Sequence, residues 1–268
     1  MNNSMISASV TLNSLQRRLD LISDNIANVD TVGYKSKKGD FEDTLTRVQQ
    51  QGSAFQLSGR RTDSGYNMGF GARMGEVTID LTQGPLKETG SDSDIAIEGN
   101  ALFEIQANGE KAWTREGGFQ LAPYGADAKN VYLLTNQGHP VMGTNGQPIR
   151  IPANTKMQVD SDGRVYAQAA NGKSTLAGQI SLARVQHSEG LMQTDGNVFR
   201  LAPGANEADV LTNQGVTAQV RQRYLEQSNV DLTSQMTDMM QAQRAYQLAA
   251  KALTSSDTMA SIANGIRQ

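Results

Sequence analysis

The sequence predicts an α+β protein: a central all-β domain of short antiparallel strands, flanked by N- and C-terminal heptad helices that pair as a coiled coil on assembly. Three observations carry this. Met5, Ala8, Leu12, Leu15, Leu19, Ile22 and Ile26 follow one another at alternating intervals of three and four. That is the apolar seam of a helix packing lengthwise on another. At the far end Leu232, Met236, Met239, Gln243, Tyr246, Ala250 and Leu253 keep the same spacing. Between the seams, from Glu76 to about Leu201, the apolar period changes to two and turn signals recur about every ten residues.

Taken in order, the first helix is expected over residues 5–28, roughly 35 Å long. It stops before Gly33, where Asn28 and Asp30 are turn formers and Thr31 and Val32 are β-branched. Residues 1–35 form one segment, helix plus turn. Residues 36–75 are polar and glycine-rich, and are expected to be an extended or flexible arm. Gly69, Gly71 and Gly75 are spaced GxGxxxG with no strand before them, so they are not read as a phosphate loop.

Residues 76–227 form the expected β domain and its returning connection. Val77, Ile79 and Leu81 alternate, as do Ile95 and Ile97, then Phe103 and Ile105. Further strands are expected at 131–135, 149–152, 156–160, 164–167 and 180–185. Turns are expected at 107–109, 144–146, 160–163 and 170–172, where Asn-Gly or Asp-Gly pairs occur. Residues 119–123 (FQLAP) echo 199–203 (FRLAP), and each is followed by LTNQG, at 134–138 and 211–215. Two copies are too few for a solenoid and read as two similar strand-turn units. The last segment, 228–268, re-enters helix near Asn229 or Asp231, either a fair N-cap. It can run to about residue 264, on the order of 50 Å.

Composition narrows the function. The 268 residues carry 24 basic side chains, dispersed apart from Lys35, Lys37 and Lys38, and a net charge of −3. Nucleic-acid binding is therefore not expected. With no cysteine, disulfides and thiolate metal sites are impossible. The opening residues lack the basic region and continuous apolar block of a cleavable secretory signal. Their apolar residues form a stripe, so membrane insertion is not expected either.

No catalytic motif emerges. GxSxG, HExxH and a phosphate loop are all missing. His139 and His187 read as surface turn residues. Residues 160–163 (DSDG) lack the spaced ligands and the bidentate Glu of a calcium loop. Asp92, Asp94, Glu98 and Glu104 could supply an acid/base pair for glycan hydrolysis, with Trp113 as a sugar platform. This gives the reading from another class, a secreted wall-acting or glycan-binding β protein, but it leaves the terminal seams unexplained. The expectation is no enzyme, no cofactor and no metal.

A helix with a single apolar stripe is marginal alone in water. The C-terminal seam includes Gln243 and Ala250, so a two-helix contact is thin. The termini are expected to gain their stability among many copies, with Met236, Met239 and Met240 adapting to different neighbours. A surface that meets a different surface on the next copy, without closing, builds a helical filament or tube.

Specific stretches then resemble a known family. Residues 19–41 read LDLISDNIANVDTVGYKSKKGDF and are similar to the N-terminal signature of bacterial flagellar axial proteins, the rod and hook subunits. Asn25, Ile26, Ala27, Asn28, Thr31, Gly33 and Lys35 fall on that pattern. Asp30 stands where Asn is usual, and Tyr34 where Phe is common. Residues 84–103 (GPLKETGSDSDIAIEGNALF) resemble a second family stretch, with Ala101-Leu102 replacing Gly-Phe. Thr114-Arg115 and residues 118–121 (GFQL) resemble a third. Residues 228–231 (SNVD) and 243–247 (QRAYQ) resemble the C-terminal elements.

The resemblance implies a flagellar rod subunit of the distal-rod type, with a hook or proximal-rod subunit as the alternative. It implies export through the flagellar type III apparatus without cleavage, residence in the basal body outside the cytoplasmic membrane, and partners that are further copies of itself and neighbouring rod or hook proteins. The two seams would form the assembly interface, and Asn25, Asn28, Thr31, Gly33 and Lys35 the family-motif turn.

Overall fold

A computed structural model describes residues 3–43, 47–50, 65–68, 72–124, 130–169, 172–194, 197–213 and 218–265. The chain divides into two compact units. One contains Met1–Ile26, Lys38–Val77 and Leu232–Gln268; the other contains Ala27–Lys37 and Thr78–Asp231.

The second unit is mainly β, and every strand pairing described in it is antiparallel. Its centre is a six-stranded sheet in the order Leu191–Thr194, Val198–Leu201, Glu110–Thr114, Leu102–Ala107, Leu182–Val185, Leu211–Thr212. The central hairpin turns at Asn108 and Gly109, with φ 54° and 87°. Positive φ at both central residues is the signature of the type I′ turn, whose twist matches the flanking strands.

Side chains alternate across that sheet. Phe103, Ile105 and Ala107 enter one apolar cluster with Phe119, Leu133 and Ile151. Leu102 enters another with Trp113, Phe199 and Leu191. Both faces are covered, so successive residues of Leu102–Ala107 are nearly all buried. Phe103 and Phe119 meet edge to face, centroids 5.0 Å apart, the arrangement the ring quadrupoles favour.

Two three-stranded sheets extend the first cluster. One is Arg150–Pro152, Asn130–Leu134, Gln120–Ala122; the other is Lys156–Val159, Arg164–Gln168, Ser174–Gln179. The returning chain contributes Gln219–Gln222, paired with Ile95–Glu98, and Tyr224–Glu226, paired with Leu86–Glu88. The two FxLAP copies occupy different settings. Gln120–Ala122 pairs with Asn130–Leu134, while Val198–Leu201 pairs with Leu191–Thr194 and Glu110–Thr114. The end of the second LTNQG copy falls outside the described residues.

The first unit holds two long helices. Helix α1 spans Asn3–Ala27. After a one-turn helix in the β unit, α2 (Glu207–Val210), the chain ends in α3, Leu232–Gly265, of 34 residues. Among the described polar contacts, two link α1 to α3. Asn25 Nδ2 donates to Gln235 Oε1 at 3.2 Å, and Arg18 lies 3.9 Å from Asp238. Going back along α1 goes forward along α3, so the pair is antiparallel. The arm expected over 36–75 falls partly outside the described residues. Its described parts are strands, with Arg47–Gln50 pairing antiparallel with Gly65–Met68.

Candidate functional site

The residues of the expected N-terminal turn lead into a buried ionic cluster. Thr31 N–H donates to Asn28 O at 3.2 Å, and the Thr31 hydroxyl to Asn28 Oδ1 at 3.1 Å, which closes the chain after α1. Gly33 follows with φ +69°, and a Cβ there would lie 2.7 Å from the Arg115 backbone. Only glycine fits both the conformation and the space. Its N–H donates to the carbonyl of Glu226 at 2.8 Å.

Lys35 and Glu226 are each 1% exposed at the side chain. Lys35 Nζ donates to Glu226 Oε1 at 2.6 Å and to Thr82 O at 2.7 Å. The same oxygen receives Gly84 N–H at 2.8 Å. Glu226 Oε2 receives Arg115 Nε at 2.5 Å. Arg115 turns its remaining nitrogens to the carbonyls of Ala101, Ile97 and Gly99. Two buried cations thus share one carboxylate, and main-chain carbonyls absorb the surplus positive charge. This is the condition under which buried charge is tolerated. Burial holds the Lys35 ammonium below the usual lysine range, against the opposing pull of the Glu226 carboxylate.

Asn229 completes the junction. Its Oδ1 accepts Ser36 N–H at 2.8 Å, and its Nδ2 donates to Asp80 O at 2.8 Å and to Thr82 O at 3.1 Å. Ser36 O in turn accepts Asp80 N–H at 2.8 Å. The segment that follows α1 and the segment that precedes α3 are therefore pinned side by side within the β unit. Lys35, Arg115 and Asn229 all stand in motif stretches, but nothing in period or composition marks Glu226, a charged residue at the end of a short strand.

Along α1 the seam is covered: Leu15 and Ile22 are buried, and Met5, Ala8, Leu12, Leu19 and Ile26 are half-buried. Along α3, Met239, Ala250 and Leu253 are half-buried, while Leu232, Met236, Gln243 and Tyr246 are exposed. Among the described residues of α3 the most covered is Ala242, flanked along the helix by half-buried Gln235, Asp238, Ala245 and Ala249. This stripe, polar at its start and alanine at 242, 245 and 249, also has three-four spacing, and lies beside the seam read from the large apolar residues. Met240 is 52% exposed, Met259 62% and Leu248 67%.

The alternative chemistry meets a different geometry. Trp113 is 2% exposed and packs among Leu102, Phe199 and Leu191, so it cannot serve as a sugar platform. Glu104 is buried and accepts the Ser181 hydroxyl at 2.5 Å. Glu98 sits at the surface, paired with Arg221 at 2.6 Å, and Asp92 likewise with Arg223 at 2.7 Å. Among the described residues no group of three or more His, Asp or Glu is placed to hold a metal ion. No described helix is long and apolar enough to cross a membrane.

Three family models match the chain in order. Residues 5–35 match "Flagella basal body rod protein", residues 96–167 match "Flagellar hook protein FlgE/F/G D1 domain", and residues 221–266 match "Flagellar basal body rod FlgEFG protein C-terminal". The chain is 32% identical to the Bacillus subtilis flagellar hook-basal body complex protein FlhP, over 98% of this chain and 99% of that one. It is 34% identical to the flagellar basal-body rod protein FlgG of the same organism, over 92% of each. A third relative, the flagellar basal-body rod protein FlgF of Caulobacter vibrioides, is 33% identical over 89% of this chain and 86% of its own.

Proposed function

The chain belongs to the family of flagellar basal-body rod and hook proteins, and on that premise we propose that it is a structural subunit of the flagellar rod. In this reading it is exported by the flagellar type III apparatus and polymerises into a helical tube that carries torque to the hook. It resides in the basal body, outside the cytoplasmic membrane. Its partners are further copies of itself and the neighbouring rod or hook proteins. It performs no catalysis.

One observation carries the assembly part of this reading. Helix α3 leaves Met236, Met240, Leu248, Met259 and Ile262 half or more exposed along one helix. Large apolar side chains left open in this number mark an interaction surface, and the abundance of methionine suits neighbours that are not identical. The seam residues of α1 and α3 then act as the assembly interface, pairing as a coiled coil among copies. Of the expected family-motif residues, Asn25 bonds to Gln235 of α3, and Asn28, Thr31, Gly33 and Lys35 follow in the stretch of chain after α1.

The test keeps the full chain. A Met240→Ser/Leu248→Ser variant should retain the native fluorescence of Trp113 and the native helical circular dichroism. It should fail to form sedimentable filaments and fail to appear in isolated basal bodies. Filaments formed as readily as by the parent would refute the interface. A hook or proximal-rod subunit is the second reading, favoured by the near-equal similarity to the FlgF-named rod protein. Labelling the chain in basal bodies and reading its position along the shaft separates the two.

A further inference from the structure

We infer that the buried Lys35–Glu226–Arg115 cluster, together with Asn229, sets the register in which α1 and α3 pair. This concerns the isolated chain and stands or falls independently of the rod reading.

Beside the described bond of buried Asn25 Nδ2 to Gln235 Oε1 at 3.2 Å, the apolar faces of the helices define their own register poorly. The covered stripe of α3 presents Ala242, Ala245 and Ala249, so a slide of one helical turn, about 5.4 Å, exchanges alanine for alanine. On α1 the Ser14 hydroxyl is buried without a hydrogen-bond partner, so no bond there opposes a slide. The contact of Arg18 with Asp238 is at the surface, with side chains 37% and 42% exposed. Contacts of that kind contribute little.

The segments that lead to the helices are different. Gly33, Lys35 and Ser36 are bound to Glu226 and Asn229 by directed bonds, all of which are satisfied in one alignment. A one-residue shift of the segment after α1 would leave buried Lys35 without its carboxylate, and a shift of the segment before α3 would strip Arg115 and Gly84 N–H of Glu226 as well. The tethers are short. Helix α3 begins at Leu232, three residues past Asn229, and α1 ends at Ala27, six before Gly33. Within those six the Asn28–Thr31 bonds remove slack. A one-turn slide therefore has to break the cluster or unwind a helix end. Fixing register is the best-attested use of a buried polar group.

The chain has no cysteine, so introduced pairs report alone. Ser14→Cys is nearly isosteric, and is combined in turn with Ala242→Cys, Ala245→Cys or Ala249→Cys. Disulfide formation in dilute monomer then reads the register, because it requires Cα atoms within about 7 Å. In the parent background one pair should oxidise roughly ten times faster than the other two, and in Lys35→Met, Glu226→Gln and Asn229→Ala backgrounds the three rates should converge to within about threefold. Trp113 fluorescence reports whether the β unit stays folded. Convergence with native fluorescence in any one of the three backgrounds supports the inference. A single dominant pair in every background that keeps native fluorescence overturns it. Loss of the β fold in all three also overturns it, because the cluster would then serve stability alone. So does a Gln235→Ala background that scrambles the pairs while the cluster variants do not, since the helix contact would then be the determinant.

Discussion

The two units treat large apolar side chains in opposite ways. In the β unit Phe103, Leu133, Ile151 and Phe199 are wholly enclosed, and the central sheet is covered on both faces. In α3 Leu248, Met259 and Ile262 stand more than 60% exposed. The β unit holds the charges of Lys35, Arg115 and Glu226 within itself, paired with one another, whereas α3 leaves large apolar side chains exposed. One region encloses its large apolar residues and the other leaves several of them open, the face that the proposed assembly would cover.

The sharpest way to break that contrast is at Glu226. Its removal as Glu226→Ala leaves Lys35 and Arg115 buried without a counter-charge, and should lower the stability of the β unit by about 3–5 kcal/mol. Urea unfolding followed at Trp113 measures it. The exposed pair Arg221–Glu98 is the control, and Glu98→Ala should change stability by about 1 kcal/mol or less. Equal effects would mean the cluster is no more than another surface pair.

A second test sets core against helix. Phe103→Ala should destabilise by about 3–5 kcal/mol, because the ring opposite Phe119 is lost and a cavity remains. Leu248→Ala, at an exposed site of α3, should stay within about 0.5 kcal/mol in the monomer. A large monomer effect at Leu248 would show that α3 is already completed by its own chain. Third, Gly33→Ala forces a Cβ into the left-handed region and against the Arg115 backbone, and should cost on the order of 1–3 kcal/mol. It should do so without altering the helical content of α1.

The contrast was only half legible in the sequence. The terminal helices and the strands at Ile95, Phe103 and Val131 follow from apolar spacing, although those strands bury residues on both faces and not only the alternating ones. Several strands were not read, among them Ser174–Gln179 and Gln219–Gln222, which are largely polar. They are placed by pairing with Arg164–Gln168 and Ile95–Glu98, not by apolar pattern. The small-residue stripe of α3 was hidden for a related reason. Weighing the large apolar residues picks out a seam through Met236 and Tyr246, while alanine carries little hydrophobic signal although it allows close approach. Lys35 was visible through resemblance, but its partner Glu226 lies 191 positions away, and no local rule connects them.

The smallest effect separates the units by pH. Burial raises Glu116 above its ordinary carboxylic range, opposed by the hydrogen bond from Asn136 Nδ2 at 2.6 Å. The folded state thus binds this proton more readily than the unfolded one. The penalty is present in full above the folded value, and is relieved as pH falls through that value toward the ordinary one of 4.5. Glu116→Gln keeps an acceptor for Asn136 and removes the titration. It should stabilise the β unit slightly at neutral pH and flatten this part of its acid dependence. Glu116 lies in the β unit, whereas the described ion pair between the helices, Arg18–Asp238, is at the surface. Unfolding followed at Trp113 should therefore respond to Glu116→Gln between pH 7 and 4.5, while the helical signal at 222 nm should not. A shift shared by both probes would mean that the helices and the β unit unfold as one, and that the division between a self-sufficient region and a waiting one does not extend to their stability.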